Sequence, residues 1–230
     1  DFYYALEVED KIVFYLADIT GHSLDGAFLN VFLRETIDNY LLSYQQQEEL
    51  SPAAIAEFVT LRYQEEGFTA DYFISLVLFV LDKETKEIKY TNLGFQILPL
   101  LIKQGRVEEL QLTGLPVSTA IDINKYQFCE GGFKLDRGDK LLATTDGLIE
   151  EQVAEERYGS FRLERVLKQN WQLPLELLLK TINLDFQEFI ASSAQQDDVS
   201  IIGLERVQVI DEFRTDIASE YQLLEQVKAK

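Results

Sequence analysis

Apolar residues recur along the chain with two different periods, and the switches between them divide it into blocks. Asp1-Phe2-Tyr3-Tyr4-Ala5-Leu6 reads as the middle of a β-strand, and residues 11–17 read as a second strand after a turn at Glu9-Asp10. Over residues 24–44 the apolar positions Leu24, Phe28, Val31, Phe32, Ile37 and Leu41 fall at helical spacing, with Ser23 as the cap. Ser51-Pro52 opens another helix, Ser as N-cap and Pro in the first turn, followed by Ile55, Phe58, Val59 and Leu61.

Strand spacing returns at residue 72. Residues 72–81 form a nearly continuous apolar run, residues 87–91 alternate, and Asp82-Lys83-Glu84-Thr85-Lys86 between them predicts a hairpin loop. Two strands near 98–103 and 107–112 meet at Gln104-Gly105, and Gly114-Leu115-Pro116 breaks the pattern. Strands near 126–134 and 140–144 flank a turn at Arg137-Gly138-Asp139. Helices are predicted over 160–169 and 175–190, and a last apolar strand over 199–204. Because the helices come in blocks, the order argues against alternating βαβ units and for stacked sheets flanked by helices, an α+β fold.

Residues 208–228 stand apart. Ile210, Phe213, Ile217, Tyr221, Leu224 and Val227 lie three or four apart, which predicts one amphipathic helix. Such a helix docks on its own domain, pairs with a second copy to make a homodimer, or continues toward another domain.

At 230 residues, 47% of them apolar, the chain is long enough to bury a sizeable core. Its 40 Asp and Glu against 21 Lys and Arg leave a net charge of −19. That charge repels nucleic-acid backbones and anionic lipid headgroups but tolerates divalent cations. The single cysteine, Cys129, has no partner in the chain, and no apolar run is long enough to span a bilayer, so a cytoplasmic protein without membrane insertion is expected.

Four acids fall at the ends of predicted strands. Asp1 lies in or at the end of the first; Asp18 follows the apolar run 12–17 and precedes Thr20-Gly21-His22-Ser23; Asp146 follows 141–145 and precedes Gly147; Asp197-Asp198 precedes the last strand. Each, taken singly, also reads as a turn or cap residue. Together they point to a metal site, because carboxylates gathered at one rim repel one another unless a hard cation takes their oxygens.

These segments resemble, in order, the metal-dependent protein phosphatase family (PPM, the type 2C phosphatases), in its bacterial SpoIIE/RsbU-like branch. Asp1-Phe2-Tyr3 resembles the end of Gly-Gly-Asp-Phe/Trp-Tyr, and Asp18-Ile19-Thr20-Gly21-His22-Ser23 is similar to Asp-Val-x-Gly-His-Gly, with Gly26-Ala27 continuing the helix start. Phe73-Ile74-Ser75, Val80-Leu81-Asp82 and Tyr90-Thr91-Asn92-Leu93-Gly94 resemble the central strands and the Asn-Ala-Gly-His turn. Gly138-Asp139 with Thr144-Thr145-Asp146-Gly147-Leu148-Ile149-Glu150 resembles Gly-Asp…Thr-Asp-Gly-x-x-Glu, and Asp197-Asp198-Val199-Ser200 matches Asp-Asp-x-Thr. The resemblance runs from residue 1 to about 205. It departs at Phe95, where the family has a turn His, and at Ser23, where it has a second Gly.

The resemblance implies a two-layer β-sandwich flanked by helices on both sides, with two Mn²⁺ or Mg²⁺ ions at one end. Asp18 corresponds to the acid shared by both ions, aided by the Ile19 carbonyl; Asp146 and Asp197 to ligands of the first; Asp1 to the acid holding the second. Asp198 reads as an extra ligand or as the residue that holds its loop, and Glu150 and Asp139 as residues that fix turns. His22 reads as a proton donor to the leaving alkoxide or as a turn residue. The implied reaction is attack of a metal-bridging water on phosphoserine or phosphothreonine of a regulatory protein, a STAS-type anti-sigma-factor antagonist. The competing reading is a phosphatase-like module that binds a partner without catalysis; a module of that kind is expected to have lost metal carboxylates, and this sequence keeps all four. The first strand is already under way at Asp1, so the expectation is a phosphatase domain over 1–205 with its N-terminal edge truncated, a sensor or receiver domain upstream, and a C-terminal helix over 206–230.

Overall fold

The long apolar runs form strands and the helically spaced ones form helices, in the predicted order. The computed structural model describes residues 1–20, 24–44, 49–191 and 193–207. In chain order the elements are β1 (Phe2–Val8), β2 (Lys11–Ile19), α1 (Leu24–Leu42), α2 (Pro52–Glu66), β3 (Ile74–Asp82), β4 (Glu87–Leu93), β5 (Leu100–Lys103), β6 (Arg106–Glu109), β7 (Gly131–Lys134), β8 (Lys140–Thr144), α3 (Asp146–Glu150), β9 (Gln152–Val153), β10 (Glu156–Arg157), α4 (Gly159–Asn170), α5 (Leu175–Ile190) and β11 (Ile201–Glu205). The helix expected over 208–228 and the cap Ser23 lie outside the described residues. Among those residues no helix is long and apolar enough to cross a membrane.

The chain weaves through two compact units. The N-terminal unit contains Phe2–Gln96 and Gln111–Lys134; the C-terminal unit contains Asp1, Ile97–Leu110 and the described residues from Leu135 on.

In the N-terminal unit an antiparallel sheet has the order β1-β2-β3-β4-β7. β3 takes the centre because nearly every residue in it is apolar and all but Asp82 are buried, so both of its faces need cover. One face, with Val13, Tyr15, Ala17, Leu76, Leu78 and Val80, packs on α1 and α2. Leu29, Leu33, Ile37 and Leu41 repeat every fourth residue along α1, and Ile55, Val59 and Tyr63 do the same along α2. Each buried side chain of this size stabilises by about 1.5–3 kcal/mol. α2 starts where expected: the Ser51 hydroxyl accepts the Ala54 amide at 3.2 Å, Pro52 occupies the first turn, and Gly67 ends the helix in the left-handed conformation at φ 68°.

Two predicted strands change here. β2 runs two residues further than the apolar pattern, to Ile19, so that Asp18 is itself a ladder residue opposite Ser75. The strand predicted over 126–134 shrinks to Gly131–Lys134, because Tyr126 makes local bonds instead: its hydroxyl donates to the Pro116 carbonyl at 2.7 Å and accepts the Ser118 amide at 3.1 Å.

The C-terminal unit carries a second antiparallel sheet, order β11-β8-β5-β6. Leu142 and Ile201 pack with Leu163, Leu167, Leu178, Ile182 and Phe186 of α4 and α5. Lys140 lies opposite Glu205 in the β8–β11 register and pairs with it at 3.0 Å, while the other Glu205 oxygen accepts the Leu175 amide at the start of α5 at 2.8 Å. A buried ammonium is tolerated there because it also donates to the Trp171 carbonyl at 3.0 Å. The short helix α3 and the β9–β10 hairpin have no counterpart in the apolar pattern.

Candidate metal centre

β8 is buried along its whole length, and the sheet pins it between β11 and β5. The residue after it, Thr145, is fully buried and joins three segments. Its amide donates to the Ser200 carbonyl and its hydroxyl accepts the Ser200 amide, both at 3.0 Å. With a lone pair taken by Ser200, the hydroxyl proton goes to Asp1 Oδ2 at 2.9 Å.

Asp146 then begins α3, and Gly147 sets how closely the next loop approaches. A β-carbon on Gly147 would lie 2.1 Å from the Asp198 carbonyl oxygen and 3.5 Å from the Asp197 β-carbon. Only glycine lets the Asp197-Asp198 backbone rest on the start of this helix. Asp197 is held locally as well: its Oδ1 accepts the Asp198 amide at 2.7 Å and its carbonyl accepts Gln195 Nε2 at 2.6 Å. One residue earlier, the Gln196 amide donates to Glu151 Oε2 at 3.1 Å, and Gln196 Nε2 donates to the Gln152 carbonyl at 3.0 Å. Glu151 is 2% exposed, and its other oxygen, Oε1, is buried with no hydrogen-bond partner.

Asp146 and Asp197 are therefore neighbours across two segments that sequence separates by fifty residues. Burial first, and then the charges of Asp197 and Glu150, push the Asp146 carboxyl above the ordinary carboxylate range. Such crowding of like charges on hard oxygen donors is what a divalent cation relieves, so these residues fit Mn²⁺ or Mg²⁺. Among the described residues, no group of three or more His, Cys, Asp or Glu side chains is gathered as a metal cage. Asp146 and Asp197 form a pair, with Asp1 tied to the same segment through Thr145.

Asp18 and Ile19 belong to the N-terminal unit, as the last two residues of β2, opposite Ser75 and Ile74. Just beyond them the Thr20 hydroxyl accepts the Phe73 amide at 2.8 Å, which fixes the exit of the strand. His22 lies outside the described residues. Phe95, in place of the turn His, is buried in a turn that Asn92 holds by donating to the Phe95 and Leu112 carbonyls, both at 2.9 Å. Asp139 closes its turn by accepting the Asp136 amide at 2.9 Å, whereas Glu150 is half exposed with Arg157 at 3.6 Å. The residue that the sequence left unremarked is Glu151. No local signal marks it, because its partner lies forty-five positions away.

Residues 9–207 match the family described as stage II sporulation protein E, SpoIIE. No curated protein sequence matches the chain. Among solved structures, the SiaA-PP2C domain of Pseudomonas aeruginosa superposes with a TM-score of 0.75 at 20% identity, covering 90% of this chain and 80% of that one. The structure of the PP2C phosphatase domain and a fragment of the regulatory domain of SpoIIE from Bacillus subtilis gives 0.68 at 18% identity, covering 86% of this chain and 56% of that one. The catalytic domain of the serine/threonine phosphatase PstP, in complex with two manganese ions, gives 0.60 at 10% identity, covering 90% and 91%. Two antiparallel sheets with paired helices are thus those of a known architecture: the chain belongs to the SpoIIE family and has the fold of the PP2C serine/threonine phosphatases.

Proposed function

We propose that the chain is a metal-dependent protein serine/threonine phosphatase acting on phosphoserine or phosphothreonine of a regulatory protein. The observation that carries this reading is the Asp146–Asp197 pair, two mutually repelling carboxylates on segments held by Thr145 and Gly147, in a chain with the PP2C fold. Asp18, the Ile19 carbonyl, Asp146, Asp197 and Asp1 are the groups that would hold two Mn²⁺ or Mg²⁺ ions; the ions supply Lewis-acid charge for the phosphoryl oxygens and acidify water. Asp198 holds the loop in this reading, since its carbonyl packs on Gly147. Bare carboxylates repel a phosphomonoester dianion, so the cation precedes the substrate. His22 is the candidate donor to the leaving alkoxide.

The substrate we favour is a STAS-type anti-sigma-factor antagonist, on the strength of the family alone. The Bacillus subtilis relative is described together with part of a regulatory domain. By extension we assign residues 1–205 to the phosphatase domain, working in the cytoplasm under an upstream sensor or receiver domain, and residues 206–230 to a C-terminal amphipathic helix that docks on its own domain, pairs with a second copy or continues toward another domain. Hydrolysis of an aryl phosphate tests the central claim. Turnover is expected with Mn²⁺, lost on chelation and restored by excess Mn²⁺. A chain that binds Mn²⁺ yet leaves the ester intact is instead a phosphatase-like binding module.

A further inference from the structure

Helix α3 is only five residues long, and the residues on either side of it, Thr145 and Glu151, both reach the loop that carries Asp197. Thr145 Oγ1 takes the amide of Ser200 at 3.0 Å and Glu151 Oε2 takes the amide of Gln196 at 3.1 Å. Three residues, 197–199, lie between the two anchored amides, and the Asp198 carbonyl rests on Gly147 beneath them. From this bracket we propose that Glu151 is a positioning residue for Asp197, acting with Thr145 to hold the loop in the form that presents its carboxylate to a cation. The inference rests on the metal reading of Asp146 and Asp197 given above.

The chemistry of Glu151 supports it. A position 2% exposed is an unfavourable place for a carboxylate, and more so when one oxygen is buried with no donor. An apolar side chain there would avoid that cost. What it could not do is accept the Gln196 amide, as Glu151 Oε2 does. The site thus keeps a costly acceptor where a loop, and not the core, needs it. Groups behind a metal ligand that fix its orientation have this character.

The test uses Mn²⁺ alone as the probe, titrated calorimetrically into wild-type protein, E151L and E151Q, with amide hydrogen exchange of residues 196–200 read without metal. E151L lacks the acceptor, whereas E151Q keeps one. E151L is expected to bind Mn²⁺ roughly 10–100-fold more weakly, the range for loss of a group behind a metal ligand, and to exchange its Gln196 amide faster. E151Q is expected to stay close to wild type on both counts. Unchanged Mn²⁺ affinity in a folded E151L overturns the proposal. So does an E151Q as weak as E151L, because the charge and not the hydrogen bond would then be at work. If E151L does not fold, T145V removes the other anchor; it is expected to weaken Mn²⁺ while T145S does not, and a T145V that binds as wild type overturns the bracket. A wild-type protein that binds no Mn²⁺ refutes the metal reading itself, a result distinct from any of these.

Discussion

Asp18 and Asp146 follow the same kind of sequence, an apolar run giving way to a polar turn, yet the two units hold them differently. Asp18 is part of a ladder: its backbone pairs with Ser75 in a register set by the whole of β2 and β3. Asp146 sits just past the end of β8, and long-range contacts hold its surroundings, with Ser200 on Thr145, Asp198 on Gly147 and Gln196 on Glu151. A ladder residue can lose its side-chain chemistry without losing its place. A residue in a tertiary bracket is exposed to every change in the bracket.

The largest effects should come from the acids. Asp18→Asn and Asp146→Asn are each expected to lower turnover on an aryl phosphate by roughly a hundredfold or more, the scale seen when preorganised transition-state electrostatics are lost. Their stabilities should diverge. Burial and neighbouring charge raise the Asp146 carboxyl, so its ionised form opposes folding at neutral pH. Metal-free Asp146→Asn should therefore melt above wild type, and a lower melting temperature would contradict the crowding argument.

Gly147→Ala comes next. Its new methyl group meets a carbonyl oxygen at 2.1 Å, with backbone on both sides of the contact. A loss of about 1–3 kcal/mol is expected on denaturation, the cost of overpacking, together with weakened Mn²⁺ binding. Retained Mn²⁺ affinity would show that the bracket tolerates movement.

Two smaller changes probe parts of the N-terminal unit that hold no candidate metal ligand, and Mn²⁺ affinity should not respond to them. Lys11 Nζ donates to Asp82 at 2.8 Å and to Asp10 at 2.7 Å. Burial raises the Asp82 carboxyl, but the hydrogen bond from Lys11, those from the Thr85 and Glu84 amides, and the Lys11 charge outweigh it and hold the value at about 2. A depressed carboxylate stabilises the fold above its unfolded pKa, about 3.9, and that stability disappears as pH falls through about 2. Asp82→Asn should thus cost on the order of 1 kcal/mol at neutral pH, with the gap to wild type closing as denaturation is followed from about pH 5 to 2. Smallest of all, Ser51→Ala removes the N-cap of α2 and should cost about 1 kcal/mol by thermal melt.

The same contrast explains what the sequence revealed. α5 was legible to the residue and α4 to within one, because their apolar stripes are long and regular. The Ser51-Pro52 start of α2 was legible from local chemistry. α3 escaped because five residues are too few to show a helical period, and β6 stopped three residues short of prediction, at Glu109. At the candidate site the acids stood out, since Asp beside Gly after an apolar run is poor packing. Their support did not. Glu150 fits the family pattern but lies half in solvent, while its neighbour Glu151 makes the buried contact, and only the folded chain brings Gln196 to it.

The alternation of the chain between its units bears on its synthesis. β5 and β6 leave the ribosome as a lone hairpin, and the strand that pairs with β5, β8, begins at Lys140, well after β5 ends at Lys103. At roughly 5–20 residues per second the hairpin waits a few seconds with its edge open. Meanwhile the translated chain goes back to complete the other sheet with β7. A nascent polypeptide cut or stalled near residue 110 therefore holds neither sheet complete, and chaperones would meet it as a chain with two unfinished edges.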